Sequence, residues 1–148
     1  MNEIQTIKWA DETLILLDQT KLPTQEIYIE IDHYSKAVDA IKDMRVRGAP
    51  ALGITAAYGM ALAAIKWSPN QGELKATLTQ AGLDLIGARP TAVNVAWAVN
   101  RIQLLVDTAT DHLDASNKLL KEAKRLHRKD IETNRLMGAH GSTLIERD

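Results

Sequence analysis

The chain has 148 residues, of which 45% are hydrophobic and 25% charged, the proportions of one soluble globular domain, and this excludes collagen-like, mucin-like and wholly disordered classes. With 18 Lys+Arg against 19 Asp+Glu the net charge is -1, which argues against a protein that holds nucleic acid through its overall charge. Cysteine is absent, so this chain offers no disulfide framework, no Cys–zinc site and no thiol nucleophile, and its composition fits a reducing, cytoplasmic compartment.

The opening residues Met1 to Gln5 form neither a basic n-region nor an apolar h-region, so no targeting segment is expected. Thr6 to Trp9 alternates as a short strand. Asp11-Glu12 gives a turn, Thr13 to Leu17 a compact apolar strand, and residues 26–31 alternate with three isoleucines on one face. The loop from Asp18 to Pro23 separates the last two. Three such strands predict a small antiparallel sheet over residues 1–32. After Asp32 the period becomes helical, with Tyr34, Ala37, Val38, Ile41 and Met44 on one stripe. A second helix is predicted from Pro50 to Lys66. Residues 49–65 carry no charge, but they fall short of the span of about 20 residues that crosses a bilayer and are rich in Ala and Gly, so they read as a buried core helix and no membrane contact is expected. A third helix is predicted over 72–86 with Gly87 as its C-terminal cap. A fourth spans 91–107, with Val95, Ala98, Val99, Ile102, Leu105 and Val106 on one stripe. A fifth, long and highly charged, spans 111–137 with a narrow apolar stripe. The pattern is that of a mostly α chain with a small N-terminal antiparallel β-sheet, an α+β helical bundle of about five helices over 1–137, and 138–148 beginning a linker. So few apolar positions on the last helix predict fraying or self-association near Arg135 to Asp148 when the chain stands alone.

The most informative chemistry is Arg47-Gly48-Ala49-Pro50. Proline suits the first position of a helix. Gly48 and Ala49, being small, expose backbone N–H groups at that start, where the helix dipole is positive. Arg47 adds a planar donor able to grip a phosphate bidentately. Arg89-Pro90-Thr91 echoes this: Pro90 ends the third helix near Arg89, and Thr91 can cap the fourth. Two such starts facing one another would form a cationic pocket for a phosphorylated small molecule. The four histidines show no convincing metal-ligand spacing, and no metal is expected. The basic residues of the last helix, Lys118 to Lys129, are interspersed with Glu122 and Asp130 and lack accompanying aromatics, so a solvated face rather than a nucleic-acid contact is expected. Trp97 is expected in the core, and Tyr58, placed near the Arg47 turn, is a candidate to line the pocket.

The string VRGAPALGITAAYGMALA, from Val46 to Ala63, resembles the signature of methylthioribose-1-phosphate isomerases. LLDQTKLP, from Leu16 to Pro23, and ARPTAVNVAWAVNR, from Ala88 to Arg101, are similar to two further blocks of that family in the same order. The stretch Gly138-Ala139-His140-Gly141 resembles the lead into its second domain. The resemblance implies conversion of 5-methylthioribose 1-phosphate to 5-methylthioribulose 1-phosphate in methionine salvage, without organic cofactor or metal. Arg47, Gly48, Ala49 and Arg89 would be substrate contacts, and the full-length protein a homodimer. It also implies a Rossmann-like C-terminal domain carrying the catalytic cysteine and aspartate. That domain is absent here, so no catalytic residue is assigned to this chain, neither Asp18 nor Asp107 included, and alone it is expected to be inactive. Two neighbouring readings share the resemblance: a non-catalytic regulatory protein related to initiation factor 2B subunits, and a ribose-1,5-bisphosphate isomerase relative. The intact RGAP and LDQT strings favour methylthioribose phosphate.

Overall fold

The computed structural model describes residues 4–145; residues 1–3 and 146–148, the latter ending the segment read as a linker, lie outside it. Strands β1 (Ile7–Ala10), β2 (Thr13–Leu17) and β3 (Tyr28–Ile31) form an antiparallel sheet in that order, with Trp9 opposite Leu14 and Leu16 opposite Ile29. The Asp11-Glu12 turn takes φ of 48 and 55 at its two residues, the left-handed pair whose twist matches a two-residue hairpin. Ile7, Leu14, Leu16 and Ile31 point into the core.

Helix α1 (Tyr34–Lys42) starts at His33, whose ring Nδ1 accepts the Ser35 N–H at 3.3 Å. It ends before Met44, which the helical period places on its apolar stripe. The chain turns back there, with the Arg45 and Val46 amides both donating to the Ala40 carbonyl, and Met44 takes φ 57 and is 45% exposed. Helix α2 (Ala49–Ile65) is the uncharged run, and every residue from Leu52 to Ala64 is buried. A 3-10 turn, Pro69–Gln71, precedes α3 (Leu74–Ala88). Gly87 lies inside the last turn of α3 rather than capping it. The stop belongs to Pro90, which holds Arg89 at φ -153, ψ 79 in the C-cap position. Helix α4 (Val93–Val106) has Ala92, not Thr91, at its N-cap, with no side-chain capping bond. Helix α5 (His112–Ser142) is capped by Asp111, whose carboxylate accepts the Asp114 N–H at 2.8 Å. It continues to Ser142 rather than ending at Met137, passing through both late glycines.

The architecture is thus α+β and mostly helical, a five-helix bundle with a small three-stranded sheet. α2 lies at its centre, packed against α1, α3, α4 and α5. Its approach to α4 is so close that a Cβ built on Gly53 would lie 2.9 Å from the Asn94 carbonyl oxygen. Trp97 is not in the core but 52% exposed. It stands about 200° around α4 from the buried Val95, off the stripe of Val95, Ala98, Val99 and Ile102 that faces α2. On α5 the buried residues end at Leu126, and residues 131–145 are exposed throughout. No helix among the described residues is long and apolar enough to cross a membrane.

One ion-pair network ties α4 to α5. The half-buried Glu122 carboxylate accepts Arg125 Nε at 2.7 Å and Nη2 at 2.8 Å, and also accepts Arg101 Nε. Hydrogen bonding from Arg125, then from Arg101, outweighs the cost of burial and holds the Glu122 carboxyl down at about 2.

Gly53→Val should destabilise the chain by about 1–3 kcal/mol in urea unfolding, because the branched side chain must push α4 off α2. Glu122→Gln should cost about 1–2 kcal/mol at neutral pH, a figure reduced by the exposure of both arginines. The folded pKa is depressed, so this contribution is complete above the unfolded value near 4.5 and fades as pH falls toward 2. The gap between wild type and variant in denaturation midpoint should close over that window.

Candidate functional site

The loop before α2 is held from two sides. Val46 is buried at 2% exposure and anchors it to the core. From the other side comes the loop after β2. The Gln19 amide donates to the Arg45 carbonyl at 2.9 Å, and Gln19 Nε2 makes a long contact, 3.5 Å, to the Arg47 carbonyl. Gln19 is in turn placed by Asp18, a 4%-exposed carboxylate that accepts both the amide and the hydroxyl of Thr20, at 3.0 and 2.6 Å. Burial pushes the Asp18 carboxyl upward, but the Thr20 hydrogen bonds and the charges of Arg45 and Lys21 bring it below the usual carboxylate range. Asp18 is therefore an ionised structural group that closes a turn.

Between these anchors the chain from Arg47 to Pro50 is exposed. Gly48 takes φ 96 at the N-cap of α2, a conformation that excludes residues with a Cβ at little cost to glycine alone. The first helical bond is Leu52 N–H to Gly48 C=O at 3.0 Å. Among the described residues the amides of Gly48, Ala49 and Ala51 donate to no protein backbone or side chain, and Pro50 has no amide to satisfy. The Arg47 guanidinium has no ion-pair or hydrogen-bond partner there either. An open helix start and an uncommitted guanidinium are thus adjacent in the chain, the combination that suits an oxyanion.

Arg89 is half-buried. Its amide donates to Ile86 C=O at 3.3 Å and its carbonyl accepts the Ala92 amide at 2.9 Å, so its backbone forms the bend between α3 and α4. The Gly53–Asn94 approach sets the second turn of α2 beside the first turn of α4. Next to them lies a cavity of about 350 Å³ whose walls include Pro50, Gly53, Asn94, Trp97, Arg101 and Lys129. Arg101 lies over the Trp97 ring, 5.8 Å from its centroid, which gives the exposed indole a cation–π partner. Neither Arg47 nor Arg89 lines this cavity.

Tyr58 belongs elsewhere. It lies about 15 Å along α2 from Gly48, not at the Arg47 turn. Trp9 stacks on its ring with centroids 5.1 Å apart, and its hydroxyl meets His127 Nδ1 at 3.1 Å. Burial raises the Tyr58 phenol to about 12 and lowers His127 below its usual range. The remaining histidines act locally. His33 caps α1, His112 Nε2 lies 2.7 Å from the Ala64 carbonyl oxygen, and His140 is exposed on α5. Among the described residues no three His, Asp or Glu side chains gather where they could hold a metal. Asp107 pairs with Lys75. Residue patterns had given no structural role to Gln19, Asn94 or Arg101, because their neighbours come from segments far away in sequence.

A sequence profile of the Initiation factor 2 subunit family matches residues 45–148. Over 98% of its length the chain is 46% identical to a protein of Nitrosococcus oceani named methylthioribose-1-phosphate isomerase, and over 96% it is 41% identical to one of the same name from Koribacter versatilis. It covers 42% and 41% of those two proteins, so the chain spans about two fifths of the length of the curated relatives it matches. Among solved structures it superposes on 5-methylthioribose 1-phosphate isomerase from Pyrococcus horikoshii with a TM-score of 0.91 at 30% identity, over 97% of this chain and 41% of that one. Translation initiation factor eIF-2B subunit delta from A. fulgidus gives 0.89 at 39% identity, over 97% and 42%. On the strength of the profile match and of both superpositions, the chain belongs to the Initiation factor 2 subunit family.

Proposed function

We propose that this chain is the N-terminal, substrate-binding part of a methylthioribose-1-phosphate isomerase, a cytoplasmic aldose–ketose isomerase of methionine salvage. The observation that carries the reading is the uncommitted Arg47 guanidinium beside the open amides of Gly48 and Ala49, in a chain 46% identical to a protein of that name. Arg89, at the bend leading into α4, is assigned as a second contact to the substrate.

The reaction breaks the bond between C1 and the ring oxygen, moves one hydrogen from C2 to C1, and turns the C2 hydroxyl into a carbonyl as its proton passes to the freed ring oxygen. These transfers need a positioned acid–base pair in a site shielded from water. In this reading the described residues hold the phosphate and form one wall of the site. The acid–base groups belong to a C-terminal domain, the partner this chain requires. The full-length protein works as a homodimer without organic cofactor or metal.

A second reading has its own support, the 39% identity and 0.89 TM-score to an initiation factor subunit. In it the same anion site binds a phosphorylated ligand without turnover. The complete protein separates the two. Conversion of 5-methylthioribose 1-phosphate to the ketose, followed by NMR, supports the isomerase, and saturable binding without conversion supports the regulatory protein. In the complete protein Arg47→Ala should lower kcat/KM by an amount worth about 2–3 kcal/mol, the loss of a charge-assisted contact to phosphate. Unchanged kinetics would remove Arg47 from the site.

A further inference from the structure

A groove of about 750 Å³ runs between β1 and α5. None of Arg47, Gly48, Ala49 and Arg89 lines it. Five cations do: Lys8 from β1, and Lys121, Lys124, Arg128 and Arg135 from α5. No carboxylate faces the groove, and none of the five cations takes part in an ion pair among the described residues. Elsewhere on α5 Lys118 pairs with Asp114 and Arg125 with Glu122, while Lys129, Asp130 and Glu132 join no ion pair among the described residues and Glu132 lies in an adjoining hollow with Arg128 and Arg135. The four α5 cations of the groove recur at intervals of three, four and seven residues, which keeps them on one helix face.

The inner wall is equally specific. The Tyr58 hydroxyl and His127 Nδ1, 3.1 Å apart, both belong to residues of the groove. A neutral phenol is the better donor and an imidazole nitrogen the better acceptor, so the hydroxyl donates to Nδ1 and the ring proton sits on Nε2. Nε2 has no protein partner among the described residues and is not sealed from solvent. It is an additional donor among the cations. Trp9, stacked on Tyr58, extends that wall.

From Lys121 to Arg135 the cations extend about 21 Å along the helix, too far for one phosphate to engage. Like charges held on one face without counter-charge repel one another, and an anion with several charged groups relieves this. We propose that the groove between β1 and α5 binds a soluble small molecule carrying two or more linked phosphate groups, at a site separate from the helix start at Arg47. The inference does not rest on the isomerase reading, whose substrate has a single phosphate.

The test uses the complete protein and inorganic tripolyphosphate, titrated by calorimetry at about 0.15 M salt, where exposed charges more than roughly 8 Å apart are largely screened. One-to-one binding is expected. A Lys124→Ala, Arg128→Ala double variant should weaken it at least about tenfold, since two charge-assisted contacts are lost. Arg47→Ala should leave it unchanged. All three proteins should show the same helical circular dichroism, because the altered side chains are exposed. The proposal is overturned by the absence of saturable binding, by binding that survives the double variant, or by binding that Arg47→Ala abolishes. Tighter competition by a single-stranded oligonucleotide than by tripolyphosphate would also overturn it, in favour of a nucleic-acid surface. A null result here leaves the Arg47 site to stand or fall on turnover by the complete protein.

Discussion

The structure depends on enclosing one helix on every side. α2 carries no charge, and thirteen consecutive residues from Leu52 to Ala64 are buried. A helix with no polar face has no favourable place at the surface. Its burial recruits α1, α3, α4 and α5 around it, and the alanines and glycines along its length let them come close. The contact of Gly53 with the Asn94 carbonyl shows how near that approach is. The sheet closes one side through Leu14, Leu16 and Ile31.

A fully enclosed helix can meet solvent only at its ends. The start of α2 therefore becomes the place where unpaired backbone donors are exposed, and the close α2–α4 crossing sets a second helix start beside it. The position of the candidate anion site thus follows from packing. The chemistry is added by Arg47 and by the conformational freedom of Gly48, whose φ of 96 lets the chain enter the helix. The open helix start concerns Arg47, Gly48 and Ala49, whereas Arg89 forms the bend between α3 and α4.

Much of this was legible in the residues. The uncharged run marked α2 to within a residue at each end, the alternation marked the strands, and Pro50 and Pro90 marked where helices begin and end. These are local signals. What could not be read depended on which face a neighbour would cover. Trp97 has the composition of a core residue but lies off the stripe that meets α2. Tyr58 is adjacent to the Arg47 turn in sequence, yet three helical turns carry it to the β1–α5 groove. Gly87 has the look of a cap, but Pro90 controls the helix end. The unmatched cations of α5 looked like part of a mixed, solvated face, since their lack of partners emerges only once Glu122 is seen to be engaged by Arg101 and Arg125.

The single residue Gln19 joins two parts of the chain separated by 28 positions, with its backbone on Arg45 and its side chain reaching Arg47. The turn that presents the candidate anion site is thus not completed by the surrounding helices alone. Part of its order is borrowed from the sheet, through a hydrogen-bonded loop, beside the apolar anchor of Val46. The core contacts of α2 with α4 and α5 join segments far apart in sequence, and Gln19 adds one more such link, between the loop after β2 and the start of α2. The sheet thereby serves as a clasp on a candidate site to which none of its own strands contributes a ligand.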